Sequence, residues 1–125
     1  MGFNDTLKQI HSEAIPCMEA KKECYMQEMR EAASRLMYEE FFPAIADYYR
    51  KRPWLVRFYL NIIFEKGKWK LKSDSGVLCE SEATDSELVS YICCVLKKED
   101  IRYRVFERDM ENLADYNIQV VFYVR

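Results

Sequence analysis

The chain has 125 residues, of which 50% are hydrophobic and 32% are charged, and its net charge is −2. These values are typical of one globular domain and exclude a disordered chain. Three glycines are too few for a glycine-rich phosphate loop or a dinucleotide-binding fingerprint, and a single histidine excludes a multi-histidine metal site. No apolar run approaches the roughly 20 residues of a membrane helix, so we expect no membrane partner.

The first elements in the chain are helical. Residues 5 to 42 are rich in Ala, Met, Glu, Lys and Gln, which favours helix. Pro16 must break or kink this helix, because proline removes a backbone donor and crowds the preceding turn. Pro43 is predicted to end the helix and to begin a short final one. Residues 1 to 52 are therefore predicted to form a helical N-terminal part.

A β-hairpin is predicted next, because the hydrophobic period changes to two at Trp54. Alternate positions of the first strand are all apolar and are predicted to face the core: Trp54, Val56, Phe58, Leu60, Ile62 and Phe64. Gly67 then turns the chain, and Trp69 and Leu71 alternate with lysines in the second strand.

The rest of the chain predicts a further helix and two strands. The helix spans roughly residues 85 to 98, where Leu88, Ile92 and Val95 share one side. The strands begin near residues 101 and 118, and residues 77 to 80 are a candidate for another short strand. The order ααββαββ predicts one α+β domain over residues 1–125. It has two layers, with the hairpin, helix and two strands in residues 53–125 and a mostly antiparallel sheet of about four strands.

One surface of this sheet is predicted to be basic. Residues 50 to 73 carry eight basic groups and one acidic group, and the rest of the chain is acidic or neutral in balance. The basic side chains of the hairpin alternate with its core positions, and outward residues of the last two strands join them if all strands share one sheet. The candidate binding residues are Arg57, Tyr59, Asn61, Lys68, Lys70, Lys72, Arg102, Arg104 and Tyr123, with Phe106, Gln119 and Arg125 on the same face.

Two classes of function fit this face. The first is a small non-enzymatic protein-interaction module, for example an inhibitor, immunity or regulatory protein, because Tyr, Trp and Arg dominate the energetics of protein interfaces. The alternative is an RNA- or DNA-binding protein, or a metal-independent ribonuclease, because basic groups neutralise phosphates and aromatic rings stack on bases. Either interpretation fails if the acidic helices cover the face and pair with it.

The sequence contains no motif for a catalytic residue, a metal site or a cofactor, so we expect none of the three. Five cysteines, an odd number without disulfide-framework spacing, indicate a reducing compartment, which we take to be the cytoplasm. Another protein is the expected partner, with nucleic acid and a second copy of the chain as alternatives. A homodimer would associate through the helix at residues 17 to 42 or through a sheet edge at residues 118 to 125.

Overall fold

The computed structural model describes residues 2–14, 18–109 and 114–124. Its elements are α1 (Phe3–Ala14), α2 (Met18–Arg35), a π-helical segment (Leu36–Phe41), α3 (Phe42–Arg50), β1 (Arg57–Glu65), β2 (Lys68–Ser73), β3 (Gly76–Glu80), α4 (Leu88–Lys98), β4 (Arg102–Asp109) and β5 (Ala114–Tyr123). Within the described ranges, no helix is long and apolar enough to cross a lipid bilayer. Two residues named in the sequence predictions, Pro16 and Arg125, lie outside the described residues.

Across the described residues, five strands form one antiparallel sheet in the order β3–β2–β1–β5–β4. The α+β prediction is confirmed, but the sheet has five strands rather than about four. The candidate short strand at residues 77 to 80 is present as β3, which follows β2 after a tight turn and makes the fifth strand. Gly76 at its start has a φ of 130°, which side-chain-bearing residues rarely adopt. The hydroxyl of Ser73 accepts a hydrogen bond from the N–H of Ser75 inside this turn, at 3.3 Å.

The helical chain continues through α2, the π-helical segment and α3 without a break. The predicted short final helix with Pro43 in its first turn, where the missing N–H is not needed, is confirmed as α3, but the preceding helix runs into it without an interruption at Pro43. Just before it, the N–H of Phe42 donates to the carbonyl of Met37, five residues back, as in a π-helix. This wider turn places Leu36, Met37 and Phe41 together in the core.

One hydrophobic core joins the helices to one face of the sheet, called the inner face below. Its helical residues come from α2, the π-helical segment, α3 and α4. The strand residues in this core are Phe58, Leu60, Ile62, Phe64, Trp69, Leu71, Ile118 and Val120. Hydrogen bonds from Tyr25 to Glu87 and from Tyr38 to Glu99 fasten the N-terminal helices to both ends of α4. The opposite face of the sheet, called the outer face, lies away from this core.

The start of β1 differs from the prediction. Trp54 and Val56 were predicted to face the core, but they are 68% and 50% exposed. The reason is that β1 begins only at Arg57, because the chain before it still turns, with the N–H of Leu55 donating to the carbonyl of Arg52 at 3.1 Å. The hydrophobic alternation therefore extends beyond the strand that it predicts.

The C-terminal strand β5 lies inside the sheet, with β1 on one side and β4 on the other. The predicted free edge at residues 118 to 125 is therefore wrong for the described part of that segment, because β4 occupies the position beside it. The sheet edges in the described chain are β3 and β4. Since α4 connects these two edge strands, it has to cross the width of the inner face.

Candidate functional site

The register of the sheet brings all nine candidate residues to the outer face. Asn61 lies opposite Lys72 on one side and opposite Gln119 on the other, and Gln119 in turn lies opposite Arg104. These four residues form one row across β2, β1, β5 and β4. Since side chains alternate along a strand, the remaining candidates lie on the same face: Arg57, Tyr59, Lys68, Lys70, Arg102 and Tyr123.

One end of the outer face, called the lysine end, consists of Lys68, Lys70, Lys72, Glu65 and Glu80. The Nζ atoms of Lys70 and Lys72 lie 3.2 and 3.1 Å from the same carboxylate oxygen of Glu65. Lys68 lies 3.4 Å from Glu80 on β3. The side chains of Glu65 and Lys70 are only 12% and 14% exposed. The positive charge that the sequence predicts here is thus largely balanced within the sheet.

The two lysines control the ionisation of Glu65. Burial by itself raises the pKa of Glu65, but hydrogen bonds and charges from Lys72 and Lys70 outweigh it and hold the pKa below that of an exposed glutamate. The carboxylate is therefore stabilised in the folded state relative to the unfolded state. This stabilisation is present above the unfolded pKa and is lost as the pH falls through the folded pKa.

Replacing Glu65 by glutamine is expected to lower the free energy of unfolding at pH 7 by about 1–3 kcal/mol, because it leaves the half-buried ammonium of Lys70 without a counter-ion. The difference from the wild type should begin to shrink as the pH falls below 4.5, the ordinary pKa of glutamate, and should vanish only below the lowered folded pKa, where the wild-type carboxylate is also protonated. Urea unfolding at pH 7 and at acidic pH measures both quantities. The control is Asp47→Asn, whose exposed pair with Arg50 should contribute less than about 0.5 kcal/mol. Equal stability of Glu65→Gln and the wild type at pH 7 would contradict this account.

The other end of the outer face, called the Arg–Tyr surface, consists of Arg57, Tyr59, Arg102, Arg104 and Tyr123. The guanidinium of Arg57 lies 5.2 Å from the ring centroid of Tyr59, and that of Arg102 lies 5.3 Å from the ring centroid of Tyr123. Both distances are within the range of cation–π interactions. The two tyrosines are 43% and 54% exposed. None of the three arginines forms an ion pair with a described residue.

An open hollow of about 460 Å³ lies at the β4 side of the Arg–Tyr surface. Its lining includes Arg102, Val121 and Tyr123 from the sheet, and Glu99 and Asp100 from the turn before β4. Neither of these two acidic residues is paired with Arg102. The acidic turn therefore bounds the basic surface without neutralising it.

The groups on the Arg–Tyr surface are suited to binding. Guanidinium N–H groups form charge-assisted hydrogen bonds to carboxylates or phosphates, often in pairs. Within residues 2–14, 18–109 and 114–124, no three His, Cys, Asp or Glu side chains lie close enough to hold a metal ion. Elsewhere in the fold, burial raises the pKa of the Cys79 and Cys93 thiols, which keeps both protonated near neutral pH.

Sequence reasoning placed the basic residues on one face but did not divide that face into two ends. Glu65 follows the same alternation as Arg57 and Tyr59, so the sequence contained a signal that it points the same way. Glu80 carried no such signal, because its position beside Lys70 depends on how β3 pairs with β2. The lysine end, where charges are paired, and the Arg–Tyr surface could be distinguished only once the register was known.

Comparison of the chain with family models, curated proteins and solved structures yields no match. The protein is therefore classified by its structure, as an α+β domain whose antiparallel sheet carries helices on its inner face. Because a fold of this class hosts many functions, the function has to be argued from the residues of the outer face.

Proposed function

We propose that this protein is a small non-enzymatic interaction module that binds an acidic segment of another protein through the Arg–Tyr surface. The observation that carries this proposal is the contrast between the two ends of the outer face. The lysines are paired with Glu65 and Glu80, whereas the three arginines have no acidic partner among the described residues. A carboxylate from a partner would supply the missing counter-charge and fix the register of binding.

The composition and order of the Arg–Tyr surface support a role in protein recognition. Arginine and tyrosine are enriched among the residues that contribute most to protein–protein binding. The cation–π contacts of Arg57 with Tyr59 and of Arg102 with Tyr123 favour one arrangement of these long side chains before any partner arrives. Because less side-chain freedom is then lost on binding, the entropic cost of association is lower.

Nucleic acid is the alternative partner for an arginine-rich sheet face. Binding to a phosphate backbone strengthens with the number of phosphates that the protein neutralises, so it favours a long track of uncompensated charge. The lysine end lies where such a track would continue, but Glu65 and Glu80 balance its charge. The chain as a whole carries −2. Both observations favour a protein partner over a nucleic acid.

A sheet face that binds a partner without catalysing a reaction acts by covering part of the partner's surface, as inhibitors, immunity proteins and regulatory subunits do. We therefore extend the proposal to a protein that covers a surface of its partner. We place this activity in the cytoplasm, because the sequence has an odd number of cysteines and no disulfide-framework spacing.

The decisive experiment combines partner capture with a charge-removing variant. The tagged protein is purified from its native host with and without nuclease treatment, and the affinity of the captured partner is then measured by titration calorimetry. Replacing Arg57, Arg102 and Arg104 by alanine is expected to weaken this affinity about 100-fold, since arginine is enriched among the interface residues whose truncation costs about 2 kcal/mol or more.

The matched control replaces Arg30, Arg35 and Arg50 by alanine, which removes the same charge from exposed positions on α2 and α3. This variant should bind within about threefold of the wild type, because remote charges act mainly through weak, screened fields. Equal losses in the two variants would reject the Arg–Tyr surface as the binding site. Enrichment of nucleic acid, with proteins that vanish on nuclease treatment, would replace the proposal by the nucleic-acid alternative.

A further inference from the structure

The edge strand β4 is unpaired on one side in the described chain. It has 8 residues, and its register with β5 shows no shift between Arg102 and Asp109. The other edge strand, β3, has only 5 residues and pairs with β2 across a register shift between Leu71 and Lys72. Proteins protect sheet edges by shortening or bulging them. Both devices occur at β3, whereas β4 has neither and is protected by its charged side chains alone.

The hydrogen-bond pattern shows which groups of β4 face the free edge. The N–H of Val124 donates to the carbonyl of Val56 at 2.8 Å, and this pair continues the register of β1 with β5. Hydrogen-bonded pairs recur at every second residue, so even-numbered residues of β5 bond to β1 and odd-numbered ones to β4. The odd-numbered residues of β5 lie opposite even-numbered residues of β4. The N–H and C=O groups of Tyr103, Val105 and Glu107 therefore point away from the sheet.

The inner side of this edge borders a groove of about 380 Å³ between β4 and α4. Its lining is mainly apolar, and Val105 within it is 39% exposed. The lining residues that matter here are Val89, Cys93 and Lys97 from α4, and Tyr103, Val105 and Glu107 from β4. An added strand would place every second side chain into this groove and cover Val105.

The outer side of the same edge belongs to the Arg–Tyr surface. Arg102 and Arg104 point outward from β4, alternating with Tyr103 and Val105. Residues of an added strand that lie opposite the two arginines would form non-hydrogen-bonded pairs, whose Cα atoms approach to about 4.5 Å. Acidic side chains at those positions would come within reach of both guanidinium groups.

We infer that β4 receives an extended segment of the partner protein as a sixth strand, with acidic side chains on the outer face and apolar side chains in the groove beside α4. This inference rests on the proposed function and names the part of the partner that the Arg–Tyr surface recognises. Main-chain hydrogen bonds supply affinity in this mode, and the alternating side chains supply specificity.

A second copy of the chain fits this edge poorly. Two β4 strands related by a two-fold axis pair antiparallel with their outer faces on the same side. For an axis at any position from Tyr103 to Phe106, two arginines lie at directly opposite positions of the two strands. The pairs are 102 with 104, 104 with 104, 102 with 108 and 104 with 108. Like charges directly opposite across a strand pair are destabilising. The charge pattern therefore favours an acidic segment of another protein.

The test uses a capped peptide of three alternating glutamate–valine pairs, whose binding to the full chain is measured by fluorescence polarisation. N-methylation of the valines removes N–H groups that face β4, and it is expected to weaken binding about tenfold or more. N-methylation of the glutamates should change binding less than about threefold, because those N–H groups point away from β4. A peptide of the same composition with all glutamates before all valines should bind weakly.

A protein variant checks the same edge from the other side. Val105→Pro removes an N–H that points away from β5, and proline is tolerated at such edge positions. Its control is Val105→Ile, which keeps the N–H, and the circular dichroism and melting temperature of both variants are compared with the wild type. We expect loss of peptide binding in Val105→Pro alone. If that variant unfolds, the two N-methylated peptides still decide the question on the wild-type protein.

Three results would overturn strand addition at β4. The first is that the two N-methylated peptides bind with equal affinity, while the double variant Arg102→Ala, Arg104→Ala loses peptide binding. This result would reject strand addition but keep the Arg–Tyr surface as a binding site for acidic side chains. The second is absence of peptide binding while the captured partner still depends on the arginines. The third is a concentration-dependent dimer that Val105→Pro abolishes, which would make a second copy the occupant. If replacing the arginines by alanine weakens the binding of neither the peptide nor the captured partner, the proposed function itself is rejected.

Discussion

Replacing Trp69 by alanine is expected to lower the free energy of unfolding by about 3–5 kcal/mol, the range for truncating a fully buried large aromatic side chain. Trp69 is 0% exposed, and its ring centroid lies 5.1 Å from Phe64 and 6.4 Å from Tyr116. Its indole N–H donates to the carbonyl of Asp85 at 2.8 Å, which ties β2 to the segment before α4. The substitution therefore removes core packing and one link between the sheet and the helical layer.

The matched control is the other tryptophan of the chain. Trp54→Ala should change the free energy of unfolding by less than about 0.5 kcal/mol, because Trp54 is 68% exposed. Urea unfolding followed by far-ultraviolet circular dichroism measures both variants without depending on tryptophan fluorescence. A large effect at Trp54 with a small one at Trp69 would show that the inner face has been assigned to the wrong residues.

The second large effect is expected at Phe41. Phe41→Ala should cost about 3–5 kcal/mol, because this ring is 0% exposed inside the core. Phe42→Ala should cost only about 1–2 kcal/mol, because Phe42 is half-buried and makes an edge-on contact with Tyr38 at 5.2 Å between ring centroids. Melting temperatures and urea midpoints of the two variants provide the measurement.

The comparison between these two neighbours tests the π-helical segment. Both variants remove the same side chain from adjacent positions, so differences in helix propensity cancel. The turn between Leu36 and Phe41 sets which of the two rings points into the core. Equal costs for Phe41→Ala and Phe42→Ala would mean that the helix has a different rotation at this point.

Much of the sheet could be predicted because periodicity is a local property. The alternation from Phe58 to Phe64, and that of Trp69 with Leu71, identified the hairpin and its inward residues. The same local rule failed at Trp54, because alternation does not show where a strand starts. It also could not place β3, whose pairing depends on a turn that Gly76 permits.

The candidate site shows the same division between local and long-range information. That Arg57, Tyr59 and Asn61 share one side of β1 follows from their spacing alone. That Arg102 and Tyr123 lie beside them depends on β5 pairing with β1 and with β4, which are contacts between distant segments. No local pattern reports which strands become neighbours, so the predicted edge at residues 118 to 125 turned out to be the interior of the sheet.

By itself, the sequence determined an α+β domain with apolar residues on one side of its strands and basic residues on the other, since these features follow from residue spacing. Only the tertiary structure decided which basic residues form ion pairs with acidic residues of the described chain and which do not. Ion pairing depends on distances of a few ångströms between strands, and these place Lys70 and Lys72 against Glu65 while leaving Arg57 and Arg102 on tyrosine rings.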